Sequence, residues 1–212
     1  MKLYGYFRSS AAYRLRIALN LKGLAYEQVP VSLLKGEQLA DGYKVMNPQG
    51  LVPVLADGSL LLTQSLAICE YLDETHPEPA FLPARPVERA RVRAIALAIA
   101  CEIHPLNNLR VLKYLKKSLG QNEEQIKAWY RHWIALGLPA VEAMLAANPA
   151  TGRYCHGDTP GLADIFLVPQ VANALRYEGM LEAYPTIVRI NDECLKLEAF
   201  AKAQPHLQPD AA

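Results

Sequence analysis

The chain has 212 residues, 51% of them hydrophobic and 20% charged, with a formal net charge of +1. That is the composition of a globular protein with enough apolar material for one large core or two small ones, and its balanced charge offers no footing for a nucleic-acid backbone. The apolar run at 94–100 is far short of a membrane span and is flanked by Arg91, Arg93 and Glu102, and the first five residues show no signal-peptide core, so a cytoplasmic protein with no membrane partner is expected.

Leu3 to Phe7 is short, apolar and aromatic, the pattern of a buried strand. Ser9 and Ser10 follow as helix-capping candidates, and Arg14 to Leu21 shows helical spacing with Gly23 as its stop. Tyr26 to Val31 reads as a second strand, so strand–helix–strand order favours a parallel pair. Val52 to Leu55 and Leu60 to Leu62 read as two more strands around Asp57 and Gly58, a hairpin signal. Ser65 is placed to cap a helix over 66–74. Pro77, Pro79, Pro83 and Pro86 then mark a linker. Beyond it the pattern is helical over 88–119 with a break at Pro105, then over 123–147, 162–176 and 186–203. The expectation is an α/β domain over 1–80 and an all-α domain over 87–212.

Three loops carry chemistry. The turn from Arg8 to Arg14 leads into a helix N-terminus, whose free N–H groups and partial positive charge stabilise an anion and lower the pKa of a thiol. Helix capping alone would also explain Ser9 and Ser10. Leu51, Val52 and Pro53 suggest a cis peptide that exposes the Val52 backbone to an extended peptide, although an ordinary edge-strand proline fits equally. Gln64 and Ser65 begin another helix, able to take a carboxylate. The three loops should line one edge of the sheet and suit a small peptide with a thiol at one end and an amino-acid head at the other, as glutathione has. Cys69, Cys101, Cys155 and Cys194 form no C-x-x-C or zinc spacing and read as buried, reduced thiols, and the five histidines are scattered, so no metal is expected.

Together these stretches resemble the zeta-class glutathione transferases, which include maleylacetoacetate and maleylpyruvate isomerases. The carriers are residues 8–19, Asn47 and Pro48, Val52 and Pro53, residues 64–68 and 70–72, residues 104–109, residues 167–174, and the tail from Pro205 to Asp210. The resemblance implies a thioredoxin-like N-terminal domain, a helical C-terminal domain and a homodimer. It implies that Ser9 or Ser10 is catalytic, bonding the glutathione sulfur, with Ala11 beside them, that Val52 pairs with the cysteinyl backbone, and that Gln64 and Ser65 hold the γ-glutamyl end. Gln38, His104, Asn108, Leu109 and Arg110 fall at further glutathione-contact positions. Arg8, Arg110 and Arg176 are the expected partners of a dicarboxylate or keto-acid substrate, since guanidinium binds carboxylate in a bidentate manner.

The departures are Ala11 where the family usually has cysteine, Tyr13 where tryptophan is common, and His104 where glutamine is frequent, as in the bacterial maleylpyruvate branch. Gly161 replaces a Ser/Thr helix cap, and Asp164 is placed to bond backwards to it, a structural role. The implied activity is glutathione-dependent cis–trans isomerisation of maleylacetoacetate. Maleylpyruvate isomerisation, conjugation of glutathione to electrophiles, and non-catalytic glutathione binding in an interaction protein are the alternatives.

Overall fold

The computed structural model describes residues 1–177 and 179–211. They fall into two compact units, residues 1–81 with the segment from Leu195 onward, and residues 82–194. The sequence placed this last segment with the helices; it packs instead on the first unit. Helical periodicity marks a buried face but not the surface that buries it.

The first unit is a four-stranded sheet in the order β2-β1-β3-β4. β1 (Lys2–Gly5) and β2 (Glu27–Pro30) are parallel, joined by α1 (Ser10–Leu21). β3 (Val54–Asp57) runs antiparallel to β1, and β4 (Leu60–Thr63) antiparallel to β3. A two-residue turn joins β3 to β4, and Gly58 takes the left-handed φ of +57° that its first position needs. Between β2 and β3 lie short helices at Glu37–Leu39 (a 3₁₀ turn) and α2 (Asp41–Lys44), and α3 (Ser65–Thr75) follows β4. α1 is buried nearly all round, with Leu15, Ile17, Ala18 and Leu19 at 0% exposure.

At the far end of α1, Lys22 Nζ bonds Asp73 Oδ1 at 2.8 Å and the Pro79 carbonyl at 2.7 Å, and lies 4.0 Å from the Phe81 ring centre. Asp73 also accepts the Phe81 N–H at 2.7 Å. This buried pair fastens the proline-rich stretch to α1 and α3. The tail contributes α9 (Glu198–Ala201) and a 3₁₀ turn at Pro205–Leu207. The expected helix over 186–203 is thus two helices, α8 (Pro185–Leu195) and α9.

The second unit holds α4 (Pro86–Leu97), a π-helical turn at Ala98–Ile103, α5 (Leu109–Lys117), α6 (Glu123–Ala146), α7 (Leu162–Arg176) and all of α8 but its last residue. The helix expected over 88–119 is interrupted at residues 104–108, around Pro105 as expected, but a π-helical turn precedes the break. α7 has the expected bounds, and Asp164 caps it as read: Oδ2 accepts the Gly161 N–H and Oδ1 the Cys155 N–H, both at 2.9 Å. Burial pushes the Asp164 carboxyl up, against these hydrogen bonds. Cys69, Cys155 and Cys194 are buried as expected, but Cys101 is exposed. Among the described residues no helix is long and apolar enough to cross a membrane, and no cluster of His, Cys, Asp or Glu could hold a metal ion.

Candidate active site

Strand directions bring the three loops together at one end of the sheet, rather than along a lateral edge. Tyr4 pairs with Val54, and Val54 with Thr63. One step beyond that row lie the turn after β1, Val52 and Pro53 before β3, and Gln64 and Ser65 after β4.

The turn after β1 closes with the Ser9 N–H donating to the Tyr6 carbonyl at 2.9 Å. Ser9 is the N-cap of α1, and its Oγ accepts the Ala12 N–H at 3.2 Å. With its oxygen so engaged, its hydroxyl proton is the part left to donate. Ser10 is the first helical residue, 5% exposed, and Ala11 beside it offers only backbone. Ser9 is the more accessible hydroxyl, at the positive end of the helix.

The Val52–Pro53 peptide is cis, as expected, although Pro53 lies just outside β3. The Leu51 carbonyl accepts from Tyr43 Oη at 2.8 Å and Asn47 Nδ2 at 2.7 Å, and the Val52 side chain packs on Val31, Tyr43 and Val54. The Val52 N–H and C=O make no hydrogen bond among the described residues. A Cβ on Gly50 (φ +62°) would sit 3.2 Å from the Gln38 carbonyl, so this loop presses on the Gln38 segment. Gln38 is 7% exposed, yet its Oε1 is buried without a partner. A buried acceptor left open at a loop cluster is suited to a ligand's donor.

Ser65 is not the cap of α3 but its first residue; Gln64 precedes it with a φ of +69°, the one left-handed non-glycine among the described residues. Such a conformation costs on the order of 1–3 kcal/mol and persists where the surroundings impose it. Gln64 Nε2 donates to Gln49 Oε1 at 2.7 Å, tying this loop to the cis-proline loop. Ser65 Oγ accepts from Arg14 Nη1 at 3.1 Å, tying it to α1. Ser9, Ser10, Gln38, Val52, Gln64 and Ser65 thus belong to one connected set of loops.

Arg8 is exposed, its guanidinium carbon 4.8 Å from the Phe7 ring centre, and it makes no ion pair among the described residues. The other predicted residues lie in the second unit. The His104 N–H donates to the Ile99 carbonyl at 2.9 Å, and Asn108 caps α5, its Oδ1 accepting the Arg110 N–H at 3.0 Å. Leu109 and Arg110 open that helix, Arg110 exposed. Arg176 ends α7, exposed, 5.4 Å from the Tyr177 ring centre. Tyr177 stacks on Tyr130 of α6 at 3.6 Å, and Asn107 Nδ2 reaches the Tyr130 carbonyl at 3.3 Å, so α6 braces both the α5 turn and the end of α7.

Sequence reasoning missed Arg14 and Arg16, each 2% exposed. A signal was available: positions two apart on a helix point about 200° apart. With Tyr13, Leu15, Ile17, Ala18 and Leu19 filling the other directions, at least one arginine had to face inward.

A parallel β1–α1–β2 unit continued by an antiparallel hairpin and α3, with its loops open at one end, is the thioredoxin-like half of a glutathione transferase. Residues 1–74 match the family described as glutathione S-transferase, N-terminal domain. The probable maleylacetoacetate isomerase of Vibrio cholerae is 51% identical over 99% of this chain and 97% of its own. The holo structure of a maleylpyruvate isomerase described as a bacterial zeta-class glutathione S-transferase is 51% identical, covers both chains fully and superposes with a TM-score of 0.98. The Methylobacterium extorquens maleylacetoacetate isomerase, solved with bound malonate and GSH, is 43% identical over both full chains with a TM-score of 0.97. The chain belongs to the zeta-class glutathione transferases.

Proposed function

We propose that the protein is a glutathione-dependent cis–trans isomerase that converts maleylacetoacetate to fumarylacetoacetate. The observation that carries the reading is the Ser9-capped start of α1 beside the unpaired Val52 backbone at one end of the sheet. A thiol-bearing peptide can pair there as an added strand while its sulfur meets a helix N-terminus. Gln38 Oε1 and the start of α3 at Gln64 and Ser65 fit the polar ends of the same tripeptide. The chemistry glutathione supplies when bound is a nucleophilic sulfur able to add to, and leave from, an activated cis double bond.

The chain's own groups do the rest. The Ser9 hydroxyl donates a hydrogen bond to the thiolate and keeps its proton, and the first N–H groups of α1 favour the anion, so the thiol ionises more readily. Ser10, buried at the first helical position, supports the same turn. Arg8, Arg110 and Arg176 supply exposed guanidinium groups for the substrate carboxylates. His104, Asn108 and Leu109 contribute further glutathione contacts. The protein acts as a homodimer, which light scattering at micromolar concentration tests; a monomer would count against that part.

Maleylpyruvate is the second reading, favoured by the 0.98 TM-score to an isomerase of that name. Incubating pure protein with each maleyl substrate, with and without glutathione, distinguishes them. The first reading requires glutathione-dependent turnover of maleylacetoacetate at the higher kcat/KM. Turnover without glutathione, or of neither substrate, would overturn both.

A further inference from the structure

The turn that presents Ser9 is held from outside by the end of the chain. Its second residue, Phe7, has both backbone polar groups engaged. The Phe7 N–H donates to Asp210 Oδ2 at 2.9 Å, and the Phe7 carbonyl accepts from Arg16 Nη2 at 3.1 Å. Arg16 Nε in turn donates to the Ala203 carbonyl of the tail at 2.9 Å. One tail therefore holds the two peptide groups that flank Phe7, the first directly through a carboxylate and the second indirectly through a buried guanidinium. Burial lowers the Arg16 pKa to about 10, which leaves it charged at neutral pH.

The tail is itself preorganised. Gln208 Nε2 donates to the Lys202 and Gln204 carbonyls at 3.0 and 2.7 Å, its Oε1 accepts from Gln28 Nε2 at 3.0 Å, and Asn20 Nδ2 bonds the Ala199 carbonyl at 2.9 Å. Tyr6, Phe7, Arg16, Gln28 and Asp210 line one small cavity between tail and turn. A hydrogen bond to an ionised acceptor is the stronger kind and has a narrow preferred geometry. Rotating the Phe7 peptide would break it and move Ser9, which closes the same turn two residues on.

We propose that Asp210 is a positioning residue for the thiol-binding turn, acting on Ser9 through the Phe7 peptide; the proposal rests on the isomerase reading for its effect on catalysis but not for the tie itself. It predicts a specific coupling. Loss of the Asp210 carboxylate should loosen residues 6–9 and impair activation of bound thiol, while contacts of the tail that do not reach the turn should be neutral in both respects.

The experiment compares wild type with Asp210→Ala, Asp210→Asn and Gln28→Ala. Gln28→Ala cuts the tail's hydrogen bond to Gln208 while leaving both hydrogen bonds to Phe7 in place, although Gln28 lines the same cavity. Amide hydrogen exchange of the glutathione-free protein should show the Phe7 amide exchanging about tenfold to a hundredfold faster in D210A, with Q28A close to wild type. With glutathione bound, thiolate absorbance against pH should give a higher thiol pKa in D210A, and kcat should fall about tenfold or more with a smaller change in KM. D210N keeps one carbonyl acceptor and should recover part of each effect. Unchanged Phe7 exchange in D210A would overturn the tie. Faster exchange with unchanged thiol pKa and kcat would overturn the positioning role, as would equal effects from Q28A. A wild type that does not lower the thiol pKa at all would instead sink the isomerase reading.

Discussion

Arg14 Nη1 donates to Ser65 Oγ at 3.1 Å in the interior of the first unit, joining α1, which starts at the Ser9 turn, to α3, which starts at Ser65. Both residues are nearly inaccessible, so the bond cannot be exchanged for water. Ser65→Ala removes an acceptor from a buried guanidinium and should lower stability by about 1–3 kcal/mol. It should also weaken glutathione binding, because the start of α3 loses its anchor. Urea denaturation and calorimetric titration measure the two effects, and an S65A protein equal to wild type in both would contradict the coupling.

Gln64 tests whether backbone strain belongs to the site. Its φ of +69° suits glycine and penalises any residue with a Cβ. Q64G and Q64A both lose the side chain that bonds Gln49, so the difference between them isolates the backbone. Q64G should be the more stable by about 1 kcal/mol, and both should bind glutathione more weakly than wild type. A more stable Q64A would mean the surroundings, not the side chain, set this conformation without strain.

The Lys22–Asp73 pair should behave as a buried ion pair, its side chains being 0% and 10% exposed. Asp73→Ala leaves a buried ammonium with the Pro79 carbonyl but no counter-ion, and the Phe81 N–H without its acceptor, and should cost about 3–5 kcal/mol. The double variant Lys22→Met with Asp73→Leu should recover much of that loss, since no charge then remains buried. Equal instability of the single and double variants would show that packing, not charge, dominates.

Asp164 has a definite sign of pH dependence. Its folded-state pKa is raised, chiefly by burial, so its contribution to stability is fully present below the ordinary value of 3.8 and is lost as pH rises through the folded value. Asp164→Asn does not titrate there. The variant turns an amide NH₂ toward a backbone N–H and should be less stable by about 1–3 kcal/mol at neutral pH. The wild-type advantage should grow as pH is lowered through the weakly acidic range. An advantage that shrinks on acidification would show that the two N–H groups outweigh burial.

Local signals carried most of the fold. Asp57 and Gly58 placed the hairpin, and Gly161 with Asp164 placed the start of α7, because each acts through neighbours in sequence. The three loops were also legible, and strand direction then put them at one end of the sheet. The π-helical turn at 98–103 was not legible, since its residues, apolar but for Glu102, include no breaker before Pro105. Nor was the docking of the tail, which depends on Arg16 and Asp210, side chains 194 positions apart. Charged residues read as surface by composition, and three-dimensional packing shows that Arg14 and Arg16 both lie inside and that the Asp164 cap is buried.

Central to the proposed function is activation of the glutathione thiol by the Ser9-capped start of α1. The most direct measurement is the pKa of the thiol bound to wild type, Ser9→Ala and Ser10→Ala, read from thiolate absorbance against pH. The wild type should hold it about one to two units below free glutathione, as helix N-termini do for cysteine thiols, and S9A should return it most of the way while S10A does less. A bound thiol that ionises like the free peptide in wild type, or one that S9A leaves unmoved, would contradict the claim.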